Sequence, residues 1–233
     1  MKILALDTAE QSCSLALVKD GILVCEEFYL NKATHSLVVM DMIKYMLDTR
    51  AGTAVEEIDG FVVTKGPGSF TGLRIGISTI KGLAFATSKP VAGISSLDGI
   101  AWQMAFSSLP VCAMMDAKRN EVYCALYHFK DGMLLEKSNE VALSPEKIVN
   151  LTGGEKTLFA GSGALAFKDI IKKTNGEKAV FASGFQNNIK AYILAEIVFK
   201  NPNLLSQSLS SIVPVYIRKS DAEVNYNKKQ SGY

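Results

Sequence analysis

The chain carries one pattern of landmarks twice, and this repeat constrains its fold more than any other feature. In each copy an apolar segment ends in an aspartate, Asp7 or Asp116, and a polar turn follows. A second apolar segment then runs to an Asp-Gly pair, at 20–21 and at 131–132. Asp-Gly between apolar segments is a strong hairpin signal. Chance likeness between two hairpins is the alternative, but the shared order of landmarks favours an internal duplication.

Strands and helices alternate after each repeated segment. In the first copy the sequence predicts strands over 2–8, 13–18, 22–29, 60–65 and 90–94, and helices over 36–50, 70–87 and 96–107. In the second it predicts strands over 111–116, 121–129, 133–137, 157–161 and 179–182, and helices over 163–174 and 187–200. A three-stranded meander followed by βαβ units describes a mixed sheet with helices on its faces. Two such units predict an α/β chain with the duplicated actin-like, ribonuclease H-like (ASKHA) fold, in two small lobes over residues 1–106 and 107–233.

Composition excludes several classes of protein. With 25 basic and 23 acidic residues the net charge is +2, which is too small for a protein that binds a nucleic-acid phosphate backbone without a partner. No apolar stretch reaches the roughly 20 residues that span a bilayer, and the N-terminus lacks the layout of a signal peptide. None of the four cysteines lies at CxxC spacing, which argues against a zinc cluster. We expect a cytoplasmic protein without a membrane role.

The most distinctive segment is GPGSFTGLRIG, residues 66–76, between a predicted strand and a predicted helix. It is not a Walker A loop, because no Gly-Lys-Ser/Thr follows at the required spacing. A dinucleotide fingerprint also fails, because the third glycine position holds a threonine and no acidic residue follows about 20 positions on. We therefore expect a structural loop, a tight turn followed by close helix packing. Its residues are Gly66, Gly68, Ser69, Thr71 and Gly72.

The helix over 70–87 has one face that is nearly bare backbone. Gly72, Gly76 and Gly82 each cost roughly 1 kcal/mol relative to alanine, so close packing of another element should compensate. The surrounding residues 60–97 include four basic side chains and no acidic one. This local charge suits an acidic partner or a phosphate group, although scattered solvated lysines would look the same.

The helix over 36–50 is apolar on nearly all sides. Between residues 37 and 47 only Asp41 and Lys44 are charged, whereas a surface helix needs an apolar stripe of only about 100°. A second buried face is therefore expected. A partner interface is the favoured interpretation, and burial within the monomer is the alternative.

The chain lacks the usual apparatus of an actin-like enzyme. Such enzymes hold ATP phosphates in glycine-containing turns, but the turns over 8–12 and 117–120 contain no glycine, and Glu10 would repel a phosphate. Gly161 and Gly163 follow a predicted strand and resemble a weak remnant of an adenosine site. With only two histidines, in no metal-binding motif, we expect no catalytic residue, no metal and no cofactor. An actin-like ATP-dependent kinase or ATPase is the alternative.

Several segments together resemble one bacterial family. They are LALDTAEQSCSLAL, the His35-Ser36 helix start, KGPGSFTGLRIGISTIKGLA, PVAGISSLDGIA, MMDAKRNEVYCALY and PVYIRK, and they are similar to the TsaB (YeaZ) family of tRNA threonylcarbamoyladenosine biosynthesis proteins. The similarity covers nearly the whole chain. An older label, peptidase of the M22 type, would need a metal site that this sequence does not support.

The resemblance implies a non-catalytic scaffold. Family members pair with the TsaD transferase subunit, which holds the metal and performs the group transfer, and they work with the ATPase TsaE. Their action on tRNA is therefore indirect. Homodimers are expected when the partner is absent. Whether a nucleotide binds at the partner interface is left open. By analogy the pairing surface lies on the helices over 36–50 and 70–87. Its candidate residues are Leu37, Met40, Ile43, Leu47, Leu73, Gly76 and Ile80.

Overall fold

Two mixed β-sheets, each flanked by helices, make up the computed structural model, which describes residues 1–30 and 38–218. The first sheet contains β1 (Lys2–Asp7), β2 (Ser12–Lys19), β3 (Ile22–Leu30), β4 (Gly60–Gly66) and β5 (Val91–Ser95). Its strand order is β3-β2-β1-β4-β5. The pairs β1–β2 and β2–β3 are antiparallel, whereas β4 is parallel to both β1 and β5.

The second sheet repeats this arrangement. It contains β6 (Val111–Lys118), β7 (Glu121–Lys130), β8 (Met133–Lys137), β9 (Val141–Leu143), β10 (Thr157–Ala160) and β11 (Ala179–Phe181). Its order, β11-β10-β6-β7-β8, equals that of the first sheet with β6 in the place of β1, and β9 is an addition that pairs with β7. The antiparallel and parallel pairs also correspond. The predicted duplicated fold is therefore confirmed.

The two Asp-Gly pairs form the same turn. Asp20 and Gly21 have φ of 51° and 78°, and Asp131 and Gly132 have φ of 52° and 75°. Two consecutive residues with positive φ define the hairpin turn whose twist matches that of the flanking strands. The Asp-Gly pair that suggested the duplication thus forms the same turn in both halves.

Seven α-helices lie in the described part of the chain. They are α1 (Val39–Tyr45), α2 (Phe70–Thr87), α3 (Ser96–Ala101), α4 (Ile148–Thr152), α5 (Ser162–Ala166), α6 (Lys168–Asn175) and α7 (Ala191–Lys200). The predicted α2 has the observed bounds. The start predicted at residue 36 lies outside the described residues, and a π-helical turn, Met46–Ala51, continues α1. The predicted helix over 163–174 is two helices, because the backbone leaves helical geometry at Phe167.

One apolar core extends across both halves. It includes side chains of β1, β2 and β4 and, from the second half, of β6, β7 and α7. The helix α7, the last α-helix among the described residues, packs against β1, β2 and β4 of the first sheet. A smaller core lies around β6, β10 and α6. The lobe boundary at residues 106–107 stays a prediction. Among the described residues, no helix is both long and apolar enough to cross a membrane.

Candidate functional site

The segment 66–76 packs against the loop between β1 and β2. The Ser69 N–H donates to the Ala9 carbonyl oxygen at 2.7 Å, and the Ser69 hydroxyl accepts the Gly72 N–H at 3.2 Å as the N-cap of α2. A Cβ on Gly68 would overlap the Ala9 carbonyl oxygen, and one on Gly66, where φ is 116°, would lie 2.5 Å from the Val215 carbonyl oxygen. Glycine is required here because backbone from two other segments comes this close.

The bare face of α2 is filled from within the chain. A Cβ on Gly72 would overlap the Thr8 carbonyl oxygen, and one on Gly76 would overlap the Thr8 hydroxyl. That hydroxyl donates to the Gly72 carbonyl oxygen at 2.8 Å. Thr8 therefore occupies the space that the two glycines leave. Thr71 and Gly82, in contrast, lie on the exposed side of the helix.

Most of the predicted interface residues are buried within the chain. Of the predicted set, Ile43, Leu47, Leu73 and Ile80 have at most 4% of their surface exposed, and Gly76 is also buried. They follow the inward stripe of their helices, with the three- and four-residue spacing of a core face. Their role in a partner interface stays a prediction. Met40 is 52% exposed, and Leu37 lies outside the described residues.

A different set of side chains covers the outer face of α2. The Arg74 guanidinium lies 3.9 Å from the centre of the Phe70 ring, and the Phe70 ring stacks on Tyr216 with centroids 5.1 Å apart. Arg74 Nε donates to the Tyr216 hydroxyl at 3.3 Å. Phe85, about three turns after Arg74 on the same side of the helix, is 77% exposed. We call Phe70, Arg74, Phe85 and Tyr216 the outer α2 surface.

Tyr216 belongs to a C-terminal strap, residues 212–218, which joins α2 to the second half. The Val215 N–H donates to the Lys65 carbonyl oxygen at 2.7 Å, and Lys81 donates to the Ile212 carbonyl oxygen at 3.3 Å. Arg218 binds the Glu121 carboxylate at 2.6 Å and the Ala117 carbonyl oxygen at 2.9 Å. The strap contains most of the PVYIRK motif. The residues that the strap contacts are distant from it in the sequence.

Three acidic side chains lie where the two sheets meet. Asp7 is fully buried; its Oδ1 accepts hydrogen bonds from Thr64 Oγ1 at 2.7 Å and the Ala9 N–H at 3.1 Å, and its Oδ2 has no partner among the described residues. Burial raises the pKa of Asp7 to about 7, although the hydrogen bonds from Thr64 and the backbone oppose the rise. The buried site thus favours the protonated form of Asp7 more than water does.

Glu10 is the second acidic residue, and it crosses from one half to the other. The Ser162 hydroxyl donates to the Glu10 carboxyl, and the Asp116 N–H donates to the Ser162 oxygen at 3.1 Å. Burial raises the pKa of Glu10 to about 7; the Ser162 hydrogen bond opposes the rise, and the charges of Asp7 and Asp116 add to it. The third, Asp116, pairs with Lys118 at 2.7 Å. In the described part of the chain, no three His, Cys, Asp or Glu side chains are grouped so that they could hold a metal ion.

The predicted adenosine-site remnant packs on β6. A Cβ on Gly161, where φ is 103°, would overlap the Met114 carbonyl oxygen, and one on Gly163 would lie 3.0 Å from the Met115 carbonyl carbon. The Gly161 N–H donates to Asn187 Oδ1 at 2.9 Å. These contacts give the two glycines a packing role at the β10–α5 turn. Whether adenosine binds there remains a prediction.

Comparison with known proteins shows to which family the sequence is similar. A family model described as TsaD, tRNA N6-adenosine threonylcarbamoyltransferase, matches residues 29–230. The chain is 28% identical to tRNA threonylcarbamoyladenosine biosynthesis protein TsaB of Bacillus subtilis over 99% of this chain and 100% of that protein. It is 38% identical to the Escherichia coli protein of the same name over 63% and 64% of the two chains.

Solved structures show the same relationship. YeaZ from Pseudomonas aeruginosa superposes with a TM-score of 0.79 at 27% identity, over 92% of this chain and 99% of that one. Component A of (R)-2-hydroxyglutaryl-CoA dehydratase from Acidaminococcus fermentans, at 11% identity and a TM-score of 0.53 over 86% and 98% of the chains, shares the fold alone. The chain belongs to the family of the TsaD model and, within it, to the TsaB (YeaZ) family of tRNA threonylcarbamoyladenosine biosynthesis proteins.

Proposed function

We propose that this chain is a non-catalytic subunit that pairs with a TsaD-type transferase and activates it to form threonylcarbamoyladenosine next to the tRNA anticodon. The observation that carries the proposal is the outer α2 surface. Phe70, Phe85 and Tyr216 are each at least 40% exposed on one side of a helix whose other side is fully packed. Exposed aromatic side chains beside an arginine are typical of the energetically dominant residues of protein interfaces.

Charge favours a different chain over a second copy as the partner. Arg74 and Lys81 lie on α2, and residues 60–97 contain no acidic side chain. Packing α2 against α2 of another copy would bring cations together, whereas a partner surface with carboxylates would neutralise them. We therefore propose the heterodimer as the working form and a weaker homodimer when the transferase is absent.

The junction between the halves supports the non-catalytic role. The two turns that would hold the phosphates of ATP in an actin-like enzyme, over 8–12 and 117–120, contain no glycine, so their backbone N–H groups are poorly suited to a close approach by an anion. We propose that ATP turnover belongs to a TsaE-type ATPase in a ternary complex. Because the net charge is only +2, we propose that the chain contacts tRNA through its partner. We also propose that the chain needs no cofactor of its own. We propose the cytoplasm as the compartment of the complex, because its substrate is tRNA.

Two matched substitutions test the interface. Phe85→Asp places a charge on the outer α2 surface, whereas Phe185→Asp does the same at an equally exposed phenylalanine of the second half, 87% exposed against 77%. Phe85→Asp should weaken binding to the TsaD-type transferase at least tenfold in calorimetric titration, and Phe185→Asp should leave it unchanged. Equal effects of the two changes would contradict the proposed surface.

The rival function, an ATP-dependent kinase or ATPase, makes the opposite prediction for the isolated chain. Titration of the purified protein with Mg-ATP should give no saturable heat and no phosphate release. Tight binding with turnover would replace the scaffold proposal by the enzymatic one.

A further inference from the structure

The guanidinium of Arg74, on the exposed side of α2, has no ionic partner among the described residues. A guanidinium carries five N–H donors, one on Nε and four on the terminal nitrogens Nη1 and Nη2. The Nε group donates to the Tyr216 hydroxyl at 3.3 Å. In the described part of the chain the terminal nitrogens make no hydrogen bond, so they remain available to a group from outside.

Two aromatic side chains hold this guanidinium in one orientation. Phe70 lies one helical turn before Arg74, and the guanidinium carbon is 3.9 Å from the centre of its ring. Tyr216 stacks on the same ring, with centroids 5.1 Å apart, and accepts the Nε hydrogen bond. A planar group that is fixed before binding loses less conformational entropy when a ligand arrives. Arg74 is therefore arranged in advance for binding.

Tyr216 is itself held on both sides by the C-terminal strap. One residue earlier, the Val215 N–H donates to the Lys65 carbonyl oxygen at 2.7 Å. Two residues later, Arg218 binds the Glu121 carboxylate at 2.6 Å. These anchors lie on β4 and β7, so strands from both halves of the chain fix the hydroxyl that orients the guanidinium.

The surroundings of Arg74 indicate the chemistry of its ligand. Covering Phe70 and Tyr216 with a partner would remove the guanidinium from water, which is costly unless an opposite charge accepts its hydrogen bonds. The segment 60–97 has no acidic side chain, so α2 of a second copy offers no such charge. The net charge of +2 disfavours a nucleic-acid backbone. A carboxylate matches the two terminal nitrogens with two parallel hydrogen bonds.

We propose that Arg74 binds the carboxylate of an aspartate or glutamate of the TsaD-type transferase through Nη1 and Nη2, and that Tyr216 positions the guanidinium for this contact. The inference rests on the proposed function and deepens it, since it names the chemical group that the partner presents. Lys81, the other cation of α2, differs because it donates to the Ile212 carbonyl oxygen within the chain, at 3.3 Å.

Calorimetric titration of the transferase with variants of the full chain tests the contact. Arg74→Gln should weaken binding at least tenfold, and Arg74→Lys, which keeps the charge but loses the planar fork, at least fivefold. Lys172→Gln is the matched control, because it removes one exposed charge from α6 of the second half and should change affinity less than twofold. Because Arg74 is exposed, the urea midpoints should stay equal to that of the wild type.

Double-mutant cycles identify the ligand and the role of Tyr216. Among substitutions of the transferase's exposed acidic residues by their amides, one should weaken binding of the wild type about tenfold and leave binding of Arg74→Gln unchanged. Tyr216→Phe removes only the hydroxyl, so it should weaken binding about threefold in the wild type and not at all in Arg74→Gln.

The outcomes separate this inference from the proposed function. Binding by the wild type that Arg74→Gln leaves intact, an equal loss in Lys172→Gln, or the lack of any coupled carboxylate would overturn the inference alone. An effect of Arg74→Gln that appears only with added inorganic phosphate would also overturn it, by assigning a phosphate as the ligand. No binding of the transferase by the wild type would overturn the proposed function and the inference with it.

Discussion

Replacement of Asp7 by asparagine should stabilise the protein at neutral and alkaline pH. In the native state burial raises the pKa of Asp7 from 3.8 to about 7, so the folded protein holds a proton that the unfolded chain has lost. A group of this kind contributes most below its unfolded pKa, and the contribution is lost as the pH rises through the folded value. The slope reaches about 1.4 kcal/mol per pH unit between the two pKa values, so Asp7 lowers the unfolding free energy of the wild type by about 3.4 kcal/mol between pH 4 and pH 7.

Asparagine is neutral throughout and keeps the oxygen that accepts from Thr64 and Ala9. The difference in unfolding free energy between Asp7→Asn and wild type should therefore grow in favour of the variant by about 3 kcal/mol from pH 5 to pH 8. Urea unfolding, followed by the fluorescence of the buried Trp102, the one tryptophan in the sequence, measures this difference at each pH.

Asp116→Asn is the matched control. It makes the same change at the equivalent strand end of the second half, where the side chain is partly exposed and paired with Lys118. A stability difference between Asp7→Asn and wild type that is constant with pH would refute the reasoning. So would a difference that shrinks as the pH rises, or an equally large trend in Asp116→Asn.

Two further predictions concern packing around α2. Gly76→Ala should lower the unfolding free energy by about 1–3 kcal/mol, because the new methyl group overlaps the Thr8 hydroxyl. Gly82→Ala, which has no neighbour within 4 Å, should raise the unfolding free energy by up to about 1 kcal/mol. Equal urea midpoints for the two variants would contradict this. A double-mutant cycle of Arg218→Ala and Glu121→Ala should give a coupling energy of about 0.2–1 kcal/mol in urea unfolding, since the pair is partly exposed, and a coupling of zero would mean that the strap is not held there.

The repeated landmarks made the fold predictable from the sequence. An Asp-Gly pair selects a hairpin turn by its backbone preference alone, so the meander of each half could be placed without tertiary information. The strand β9 and the helix α4, at 141–143 and 148–152, went unpredicted. Both are short, and a segment of three to five residues shows too little periodicity to be recognised.

The outward face of α2 was harder to predict. Leu73, Gly76 and Ile80 recur at helical spacing, which marks a buried stripe, but the glycine on that stripe suggested a place for another helix. The structure fills the place with Thr8, which is 64 residues from Gly72 in the sequence. A contact at this separation depends on how the sheet forms, and no local pattern encodes it.

The contact between Glu10 and Ser162 and the contacts of the strap were equally hidden from the sequence. The repeat predicted that Asp7 and Asp116 are equivalent, but it gave no sign that Glu10 would meet Ser162, or that Arg218 would meet Glu121, 97 residues away. These contacts join the β1–β2 loop to α5 and the strap to β7. Contacts of this kind form only in the folded chain, so no local pattern in the sequence predicts them.

Reconstitution of tRNA modification tests the central claim most directly. Formation of threonylcarbamoyladenosine is measured with the TsaD-type transferase, the TsaE-type ATPase, the activated threonylcarbamoyl donor and tRNA, with and without this chain, and with the Phe85→Asp and Phe185→Asp variants. The scaffold proposal predicts that modification requires the chain, is lost with Phe85→Asp and is retained with Phe185→Asp. Equal rates of modification with and without the chain would contradict it.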